Sequence, residues 1–344
     1  MLHCRMADRS AVPERAELHF HLGSSVDPPV LWTLAHAQGI KLPTKDYWEF
    51  EDRITLSANE SCASLDDMHE SFFSITERIQ SSPYAVEESV RNVIGGGYRK
   101  CNLVLQELRF NPMFRNRRGE QDLDHIIMAA LRGMDKAMLE YPQVRAGIIL
   151  MMDRMLPFEQ NRIIVEKAIP YRDRGIIGID VGGPQRGAFS MAEHAPLFSK
   201  ARAAGLGITM HTGEEGDPEE MRYALTHIKP DRIGHGLLAA DDPSLLAQLR
   251  EQGVVLESCP TSNLRLGKVS GLVALRRIFR AYCDAGVAFT INTDGAELYA
   301  TNIHKEELLL TTNGILSEAE VASARSTAFT ATFLPTLETE PAGE

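Results

Sequence analysis

Two histidines near the N-terminus have a spacing that can bind a metal ion. His19 and His21 are one residue apart and lie directly before a Gly-Ser-Ser stretch at 23–25. Side chains alternate between the two faces of a β-strand, so both imidazoles of a strand at this position point to the same side. Such pairs also occur as ordinary packed or surface residues. The pair therefore needs further ligands from elsewhere in the chain before it indicates a site.

Four more polar residues lie at or just after the ends of predicted strands far downstream: His211, Glu214, His235 and Asp294. Alone, each has an ordinary explanation, for example His211 as a core histidine, Glu214 as a solvated acid and Asp294 as a helix N-cap. Their shared position at strand ends favours one common site. Three imidazoles and one carboxylate suit zinc, although iron or manganese would accept the same ligands. Zinc in such a site lowers the pKa of a bound water to ~7.

The elements that must position these residues follow from the alternation of short apolar runs with amphipathic stretches, which predicts βα units and a parallel sheet. The predicted strands are Ala16–His21, Leu103–Phe110, Arg145–Met151, Ile176–Val181, Gly207–His211, Arg232–His235, Val254–Ser258 and Val287–Thr293. Helical patterns fill most of the gaps, at Glu120–Glu140, Phe158–Tyr171, Met191–Ala204, Pro218–His227, Pro243–Glu251, Leu272–Ala285 and Lys305–Asn313. This order predicts an α/β protein, a (β/α)8 TIM barrel with its active site at the carboxyl ends of the strands.

We expect a single domain at 16–336, between an N-terminal tail at 1–15 and a C-terminal tail at 337–344. Residues from about 28 to 100 form a helical insertion after the first strand, with helices predicted at Pro28–Gln38, Leu65–Gln80 and Tyr84–Arg99. The insertion is either a lid over the barrel mouth or a pad along the side of the barrel, and the sequence leaves both open.

The composition is that of a globular protein and excludes several classes of partner. The 344 residues include 36 lysines and arginines against 47 acids, which gives a formal net charge of −11. This balance argues against a nucleic acid or an anionic membrane as the main partner, but not against a nucleoside. No signal peptide or membrane-spanning stretch is predicted. The five cysteines lack Cys-x-x-Cys spacing and are expected to be free thiols of a cytoplasmic protein.

Five motifs together resemble the adenosine deaminase family of the amidohydrolase superfamily. They are His-Phe-His at 19–21, His-Thr-Gly-Glu at 211–214, Gly-His-Gly at 234–236, Ser-Cys-Pro-Thr-Ser-Asn at 258–263 and Asn-Thr-Asp at 292–294. The resemblance covers the chain from about residue 16 to residue 335 in order, spacing and strand placement.

The resemblance implies a role for each matching residue. The implied ligands of one Zn²⁺ are His19, His21, His211 and Asp294. Glu214 would exchange a proton with the purine ring nitrogen next to the reacting carbon, and His235 would orient the attacking water and help to deprotonate it. The chemistry agrees, because displacing an amine from an aromatic ring needs a nucleophile, an acid for the ring nitrogen and a proton for the leaving amine. Asp294 is a candidate for that last transfer.

Two positions depart from the family pattern, and both fall on substrate recognition. Gly295 stands where the family has a second aspartate that holds the imidazole edge of the purine, and the nearest acid downstream is Glu297. Gly23 stands where the family has an aspartate that reaches the ribose 5′ end, and Ser24 and Ser25 follow it. Either these neighbours replace the missing acids, or a larger or differently substituted ligand enters the site.

A further motif, Gly-Gly-Pro at 182–184, ends the fourth strand. The family uses a glycine here whose backbone approaches the purine, and Gly183 matches it. The Gly-Gly-Pro version is similar to the branch that deaminates aminodeoxyfutalosine, although that branch keeps the double aspartate. The candidate substrate-binding residues are therefore Gly183, Gly295, Gly23 and Ser24.

Three other polar residues are expected to support the site. Arg109, at the end of the second strand, should form an ion pair behind it. Ser262 and Asn263 should brace the barrel mouth through hydrogen bonds.

The sequence thus predicts a zinc-dependent hydrolytic deaminase of a 6-aminopurine nucleoside, in which a metal-activated water attacks C6 and ammonia leaves. The alternatives are a deaminase of a modified adenosine such as aminodeoxyfutalosine, a deaminase of adenine, another hydrolysis on the same scaffold, and a non-catalytic ligand-binding relative. The expected partner is a small purine or analogue rather than a nucleic acid or membrane, and the sequence is compatible with a homo-oligomer.

Overall fold

The computed structural model describes residues 12–56, 69–116, 122–184 and 189–335. Most of the two predicted tails lies outside these ranges. On the N-terminal side the first strand begins at Arg15, one residue earlier than predicted, and this arginine is buried.

Parallel strands form the centre of the fold. They are β1 (Arg15–His21), β2 (Leu103–Phe110), β3 (Arg145–Asp153), β4 (Ile176–Gly182), β5 (Gly207–Ile208), β6 (His211–Thr212), β7 (Arg232–His235), β8 (Val255–Ser258) and β9 (Phe289–Ile291). Hydrogen-bonded neighbours run in the order β1-β2-β3-β4-β5 and β6-β7-β8-β9. Each pairing is parallel, which agrees with the repeated βα pattern of the sequence.

The predicted strand Gly207–His211 is wrong in its bounds, because the chain forms two short strands here. Between them, Thr209 donates its N–H to the carbonyl of Ile179 in β4 at 3.1 Å. The carbonyl of Met210 instead accepts from the N–H of Gly234 in β7 at 2.8 Å. The backbone changes its bonding neighbour at this point, so β5 and β6 together occupy one position in the barrel.

The barrel closes between β9 and β1. Asp294, just after β9, donates its N–H to the carbonyl of His19 at 2.9 Å and accepts from the N–H of His21 at 2.8 Å. Phe20 and Asp294 form an isolated parallel bridge. The predicted TIM barrel is therefore confirmed, and its closure places Asp294 directly beside the histidine pair.

Helices surround the barrel. Those after β2 are Leu123–Glu140, Phe158–Ala168, Met191–Ala203, Pro218–Tyr223, Pro243–Gln252, Pro260–Arg265, Leu272–Ala285, Ile303–Thr312 and Glu318–Thr330. Short 3₁₀ or π segments occur at Pro112–Arg115, Ile169–Arg174, Ala224–Ile228 and Leu237–Asp241. None of the helices in the described ranges is long and apolar enough to cross a membrane.

The described part of the chain between β1 and β2 is mostly helical, as predicted. Its described elements are Leu22–Ser25, Pro28–Ala37, Tyr47–Ile54, the π segment His69–Phe73, Ser74–Ile79 and Pro83–Cys101. Part of the predicted helix Leu65–Gln80 lies outside the described residues. Helix Pro83–Cys101 packs along helix Leu123–Glu140, where a Cβ at Gly133 would lie 2.3 Å from the carbonyl of Glu87. This part of the insertion is a pad on the side of the barrel.

Side-chain alternation separates the apolar core from the barrel interior. In β2, Leu108 and Phe110 belong to the core between the barrel and its helices. Glu107 and Arg109, on the opposite face of the strand, are fully buried and take part in ion pairs inside the barrel. The interior of this barrel therefore carries charge, whereas the outer face of the sheet is apolar.

The segment 331–335 closes the amino-terminal end of the barrel. The Phe333 ring lies over Gly207, where a Cβ would come within 2.3 Å of it, and the guanidinium carbon of Arg232 is 3.6 Å from the ring centroid. Glu107 accepts hydrogen bonds from the Thr332 hydroxyl and the Phe333 N–H, both at 2.6 Å. The sequence patterns gave no indication of this contact.

Candidate metal centre and active site

The side chains predicted as ligands meet at the carboxyl ends of the strands. His21 Nε2 lies 3.1 Å from His211 Nε2 and 3.2 Å from Asp294 Oδ1. His19 Nε2 lies 3.5 Å from Asp294 Oδ1. One potential ligand atom from each of His19, His211, His235 and Asp294 lies within 4.8 Å of the other three. The structure thus brings the predicted ligands together and places His235 beside them.

Two of these residues have a backbone conformation that is uncommon outside glycine. The φ angle is 63° at His235 and 64° at Asp294. Backbone hydrogen bonds hold both, from Asp294 to its β1 neighbours and from the N–H of Gly236 to the carbonyl of Gly234 at 2.9 Å. Strain of this kind is typical of functional sites, where it directs a side chain that a regular strand would point elsewhere.

The donor atoms of this cluster fit a divalent metal ion. The buried His19 Nε2 has no hydrogen-bond partner of normal geometry among the described residues. His19 Nδ1 contacts Glu257 Oε2 at 2.6 Å, and His211 Nδ1 contacts Asp180 Oδ2 at 3.0 Å. A carboxylate at Nδ1 fixes the proton there and leaves the Nε2 lone pair of each ring for a ligand. Three nitrogens and one carboxylate oxygen that converge in this way suit a tetrahedral ion such as zinc.

Burial keeps two of the imidazoles neutral. It lowers the pKa of His21 to about 4 and lowers the pKa of His211 below its usual value, because the charged form loses its hydration. Neutral imidazoles are the form that binds a metal ion. For Asp294 burial acts the other way, but its contacts with His19 and His21 hold the pKa of its carboxyl well below the usual range.

One arginine connects the two carboxylates behind the histidines. Arg109 Nη1 contacts Asp180 Oδ2, and Arg109 Nη2 contacts Glu257 Oε2, each at 2.8 Å and fully buried. The predicted ion pair of Arg109 is therefore confirmed. Although burial opposes ionisation, the Arg109 guanidinium and the neighbouring imidazoles hold the pKa of both carboxyls well below the usual range.

Sequence reasoning missed Asp180 and Glu257 as site residues. Each is a charged residue inside an otherwise apolar strand, and this is the signal that was available. Glu257 also contacts Arg232 Nε at 2.6 Å, and Arg232 Nη2 contacts Glu107 Oε2 at 2.5 Å. A continuous chain of charges therefore runs from His19 to the base of the barrel.

Glu214 has the environment of a general acid. It lies beside the cluster with 11% of its side chain exposed, and its Oε2 lies 3.8 Å from His235 Nε2. Its Oε1 has no hydrogen-bond partner within the described part of the chain. Burial, with the nearby Asp294 carboxylate, raises the pKa of Glu214 to about 8. A carboxyl of this kind holds its proton at neutral pH and can give it to a substrate.

Ser262 and Asn263 brace the site as predicted. The Ser262 hydroxyl donates to Asp294 Oδ2 at 2.5 Å, and the Asn263 amide lies 3.0 Å from His235 Nδ1. An amide N–H that donates to Nδ1 places the His235 proton on Nε2, toward the cluster. Burial holds the pKa of His235 well below its usual value, so this imidazole is neutral.

A cavity of about 870 Å³, counted with its open mouth, lies over the cluster. Its walls come from several strand ends and from the insertion, which contributes Phe73 and Glu77. The segment 72–79 therefore reaches the mouth as a lid would, while helix Pro83–Cys101 packs against β2 and helix Leu123–Glu140 on the side of the barrel. One part of the insertion thus lies at the barrel mouth, and another part lies along the side of the barrel.

The two glycines at substrate positions have different neighbours. A Cβ at Gly295 would lie 2.4 Å from Ser24 Oγ, so Ser24 fills the space that a side chain at position 295 would need. A Cβ at Gly23 would lie 3.1 Å from the Phe73 ring and 3.2 Å from Arg115 Nη2. Glu297, a possible replacement acid, contacts Lys100 at 2.5 Å and lines a different cavity, as does Ser25.

The remaining candidate, Gly183, also lines the main cavity. Its φ of +87° is one that glycine adopts freely, and a Cβ there would lie 2.7 Å from Asp153 Oδ1. Only glycine therefore fits at this position. Asp153 and Arg154 line the same wall and were not predicted from the sequence.

Comparison with known proteins agrees with the motifs. A family model described as adenosine deaminase matches residues 14–340. An adenosine deaminase from Enterococcus faecalis is 30% identical over 320 residues, which cover 93% of this chain and 92% of the relative. An adenine deaminase from Arthrobacter aurescens has a similar structure, with a TM-score of 0.82, 20% identity, and 94% and 95% of the two chains covered. A zinc-bound amidohydrolase from Burkholderia ambifaria aligns with a TM-score of 0.80 at 19% identity, covering 95% of this chain and 87% of its own.

Proposed function

This chain belongs to the adenosine deaminase family, and on that premise we propose that it deaminates the 6-amino group of a purine nucleoside by metal-dependent hydrolysis. The observation that carries the proposal is the carboxyl of Glu214, whose pKa burial raises to about 8, beside a cluster of imidazoles and one carboxylate. A proton donor next to a metal-binding cluster is what the displacement of an aromatic amine by water requires.

His19, His21, His211 and Asp294 would hold the metal. Zinc is the proposed ion because three nitrogens and one oxygen are its usual donors, and iron or manganese would accept the same set. When bound, such an ion lowers the pKa of a coordinated water and so supplies a nucleophile at neutral pH.

The protein's own acids and bases carry the protons of the reaction. Glu214 donates its proton to the ring nitrogen next to C6, which makes that carbon electrophilic. His235 Nε2 faces the attacking water and stabilises the charge that develops on its oxygen. Asp294 is ionised, so it takes one proton from the attacking water and passes it to the leaving amine, and the second proton of the water returns to Glu214. A C6–O bond forms, the C6–N bond breaks, and the products are ammonia and a 6-oxopurine.

Four residues are proposed to bind the substrate. Gly183 allows the purine ring to approach the backbone closely, because no side chain projects from it. Ser24 occupies the space beside Gly295 and presents a hydroxyl to the cavity. Gly23 opens the wall toward Phe73 and Arg115, where the family resemblance places the ribose 5′ end.

A second candidate substrate is favoured by the wall at Gly23. Phe73 offers an aromatic face there, and Arg115, buried and 3.5 Å from Glu77, offers a guanidinium. An adenosine analogue with an aromatic acid at its 5′ end, such as aminodeoxyfutalosine, would stack on the ring and pair with the cation. Adenine, which lacks the ribose, would leave this wall empty.

An ammonia-release assay tests the proposal. Metal-replete wild-type protein is incubated separately with adenosine, deoxyadenosine, methylthioadenosine, adenine and aminodeoxyfutalosine. The variants Glu214→Gln and Glu251→Gln are assayed in the same way. Glu251 is exposed and serves as the matched control. We expect Glu214→Gln to lose at least 10²-fold in kcat while it still binds metal, and the control to match wild type. No ammonia from any aminopurine would reject the proposal and favour a non-catalytic relative.

A further inference from the structure

A carboxyl that the proposed reaction does not use lies in the wall of the main cavity. Asp153 is the last residue of β3 and is fully buried. Its Oδ1 accepts a hydrogen bond from the Met155 N–H at 2.8 Å. Its Oδ2 has no hydrogen-bond partner, and no basic group within the described residues lies within ion-pair distance of the carboxyl. An unpaired buried carboxyl is costly, so this position calls for an explanation.

The carboxyl lies against Gly183. A Cβ on Gly183 would lie 2.7 and 2.8 Å from the two carboxyl oxygens, so the Asp153 side chain occupies the space beside the glycine. Both residues line the cavity together with Glu214. A ligand that approaches the backbone at Gly183 therefore also meets the carboxyl of Asp153.

The surroundings favour the neutral acid. Burial raises the pKa of Asp153 to about 7, the Glu77 carboxylate on helix Ser74–Ile79 acts in the same direction, and the adjacent Arg154 acts against it. Because Oδ1 already accepts a hydrogen bond, a proton on Oδ2 makes this atom the donor. The cavity wall then presents an O–H group at Gly183.

We propose that Asp153 is a specificity residue whose Oδ2–H donates a hydrogen bond to a second ring nitrogen of the purine, where the ring lies over Gly183. The inference rests on the proposed function, in which Glu214 serves the ring nitrogen beside C6. A 6-aminopurine offers further acceptors at N3 and N7, and only its amino group donates. A protonated Asp153 can donate a hydrogen bond to one of these ring nitrogens. An ionised Asp153 would place its own lone pairs against the lone pair of the ring nitrogen.

The test compares three variants. Asp153→Asn keeps a donor in nearly the same shape, Asp153→Leu removes it, and Asp173→Asn is an exposed control. KM and kcat are measured on the substrate that wild type prefers, and 3-deaza and 7-deaza analogues serve as competitive inhibitors. We expect Asp153→Leu to raise KM about tenfold with a smaller change in kcat, as for the loss of one hydrogen bond, and Asp153→Asn to stay within about threefold. One deaza analogue should bind wild type about tenfold more weakly than the other, and this difference should vanish in Asp153→Leu.

A pH series gives a second measurement if Asp153→Leu does not fold. In wild type KM should rise as the pH passes above about 7, because the donor proton is lost there, and in Asp153→Asn KM should stay flat over the same range. Equal KM values for Asp153→Leu and wild type, or identical pH profiles for wild type and Asp153→Asn, would overturn the role of Asp153 alone. A wild type that releases no ammonia from any aminopurine would overturn the proposed function, and this inference with it.

Discussion

At the scale of single residues, a neighbouring side chain explains one departure from the family pattern, the glycine at position 295. Ser24 and Gly295 form one such pair, since the hydroxyl of the first occupies the Cβ position of the second. The Ser24 hydroxyl also lies within 3.3 Å of the carbonyl of His21 and 3.4 Å of the carbonyl of Asp294. A side chain at position 295, such as the aspartate of the family pattern, therefore has no space beside Ser24.

This pairing predicts the effect of adding a side chain at position 295. Gly295→Ala should destabilise the protein by about 1–3 kcal/mol, because its Cβ overlaps Ser24 Oγ in a packed site. The double variant with Ser24→Gly should recover most of that loss. Thermal unfolding of the single and double variants checks this, and an unaltered melting temperature in Gly295→Ala would show that the loop moves freely.

The proposed metal ligands could be predicted from the sequence, but the buried carboxylates behind them could not. His19, His21, His211 and Asp294 are recognisable because each is a ligand type at the end of an apolar run. Asp180 and Glu257 lie within strands and not at their ends. A charged residue within a strand does not indicate which distant residue forms its ion pair. Asp153 was missed because its position in the cavity wall depends on Gly183, which directly follows the next strand.

At the scale of elements, strand ends determine which groups meet. Asp180 of β4 contacts His211 Nδ1, Glu257 of β8 contacts His19 Nδ1, and Arg109 of β2 joins the two carboxylates. Carboxylates behind metal-binding histidines orient the rings and tune their affinity. The strands thus position the ligands through one buried arginine.

Glu257→Gln should weaken metal binding roughly 10–100-fold, the usual effect of losing a partner behind a ligand. The amide still reaches His19 but leaves Arg109 and Arg232 with one carboxylate fewer. Competition with a chelator, read as metal content of the folded protein, measures the effect. Glu251→Gln is the control, and equal metal retention in both variants would contradict the role of Glu257.

The break in the fifth barrel strand shows why element bounds were harder to predict than element types. The run Gly207–His211 contains no turn signal after its first glycine, so the sequence pattern predicts one strand. The interruption arises because Thr209 and Met210 bond to different neighbours. Only the closed sheet determines which neighbour each residue takes.

At the scale of the whole molecule, the two ends of the barrel have separate tasks. The carboxyl end carries the cluster and the cavity, and the amino end is sealed by the segment 331–335. The charges of Glu107, Arg232 and Glu257 connect the seal to His19. The segment 331–335 contacts strands that are far away in the sequence, so no local sequence pattern predicts these contacts.

Removing the seal should cost stability. Phe333→Ala should lower the free energy of unfolding by about 2 kcal/mol, because a partly buried ring and its contact with Arg232 are lost. Chemical denaturation measures this against Leu139→Ala, an exposed control at 81% relative exposure. A Phe333→Ala variant as stable as the control would show that the segment does not stabilise the barrel.

The activity proposed for this chain is metal-dependent deamination of 6-aminopurine nucleosides. Ammonia release is the most direct measurement, made on the same preparation before chelation, after chelation, and after return of one equivalent of Zn²⁺. We predict release by the metal-loaded protein, loss of nearly all activity in the metal-free protein, and recovery with the added ion. Undiminished release of ammonia without metal, or no release with metal from any aminopurine nucleoside, would refute the proposed activity.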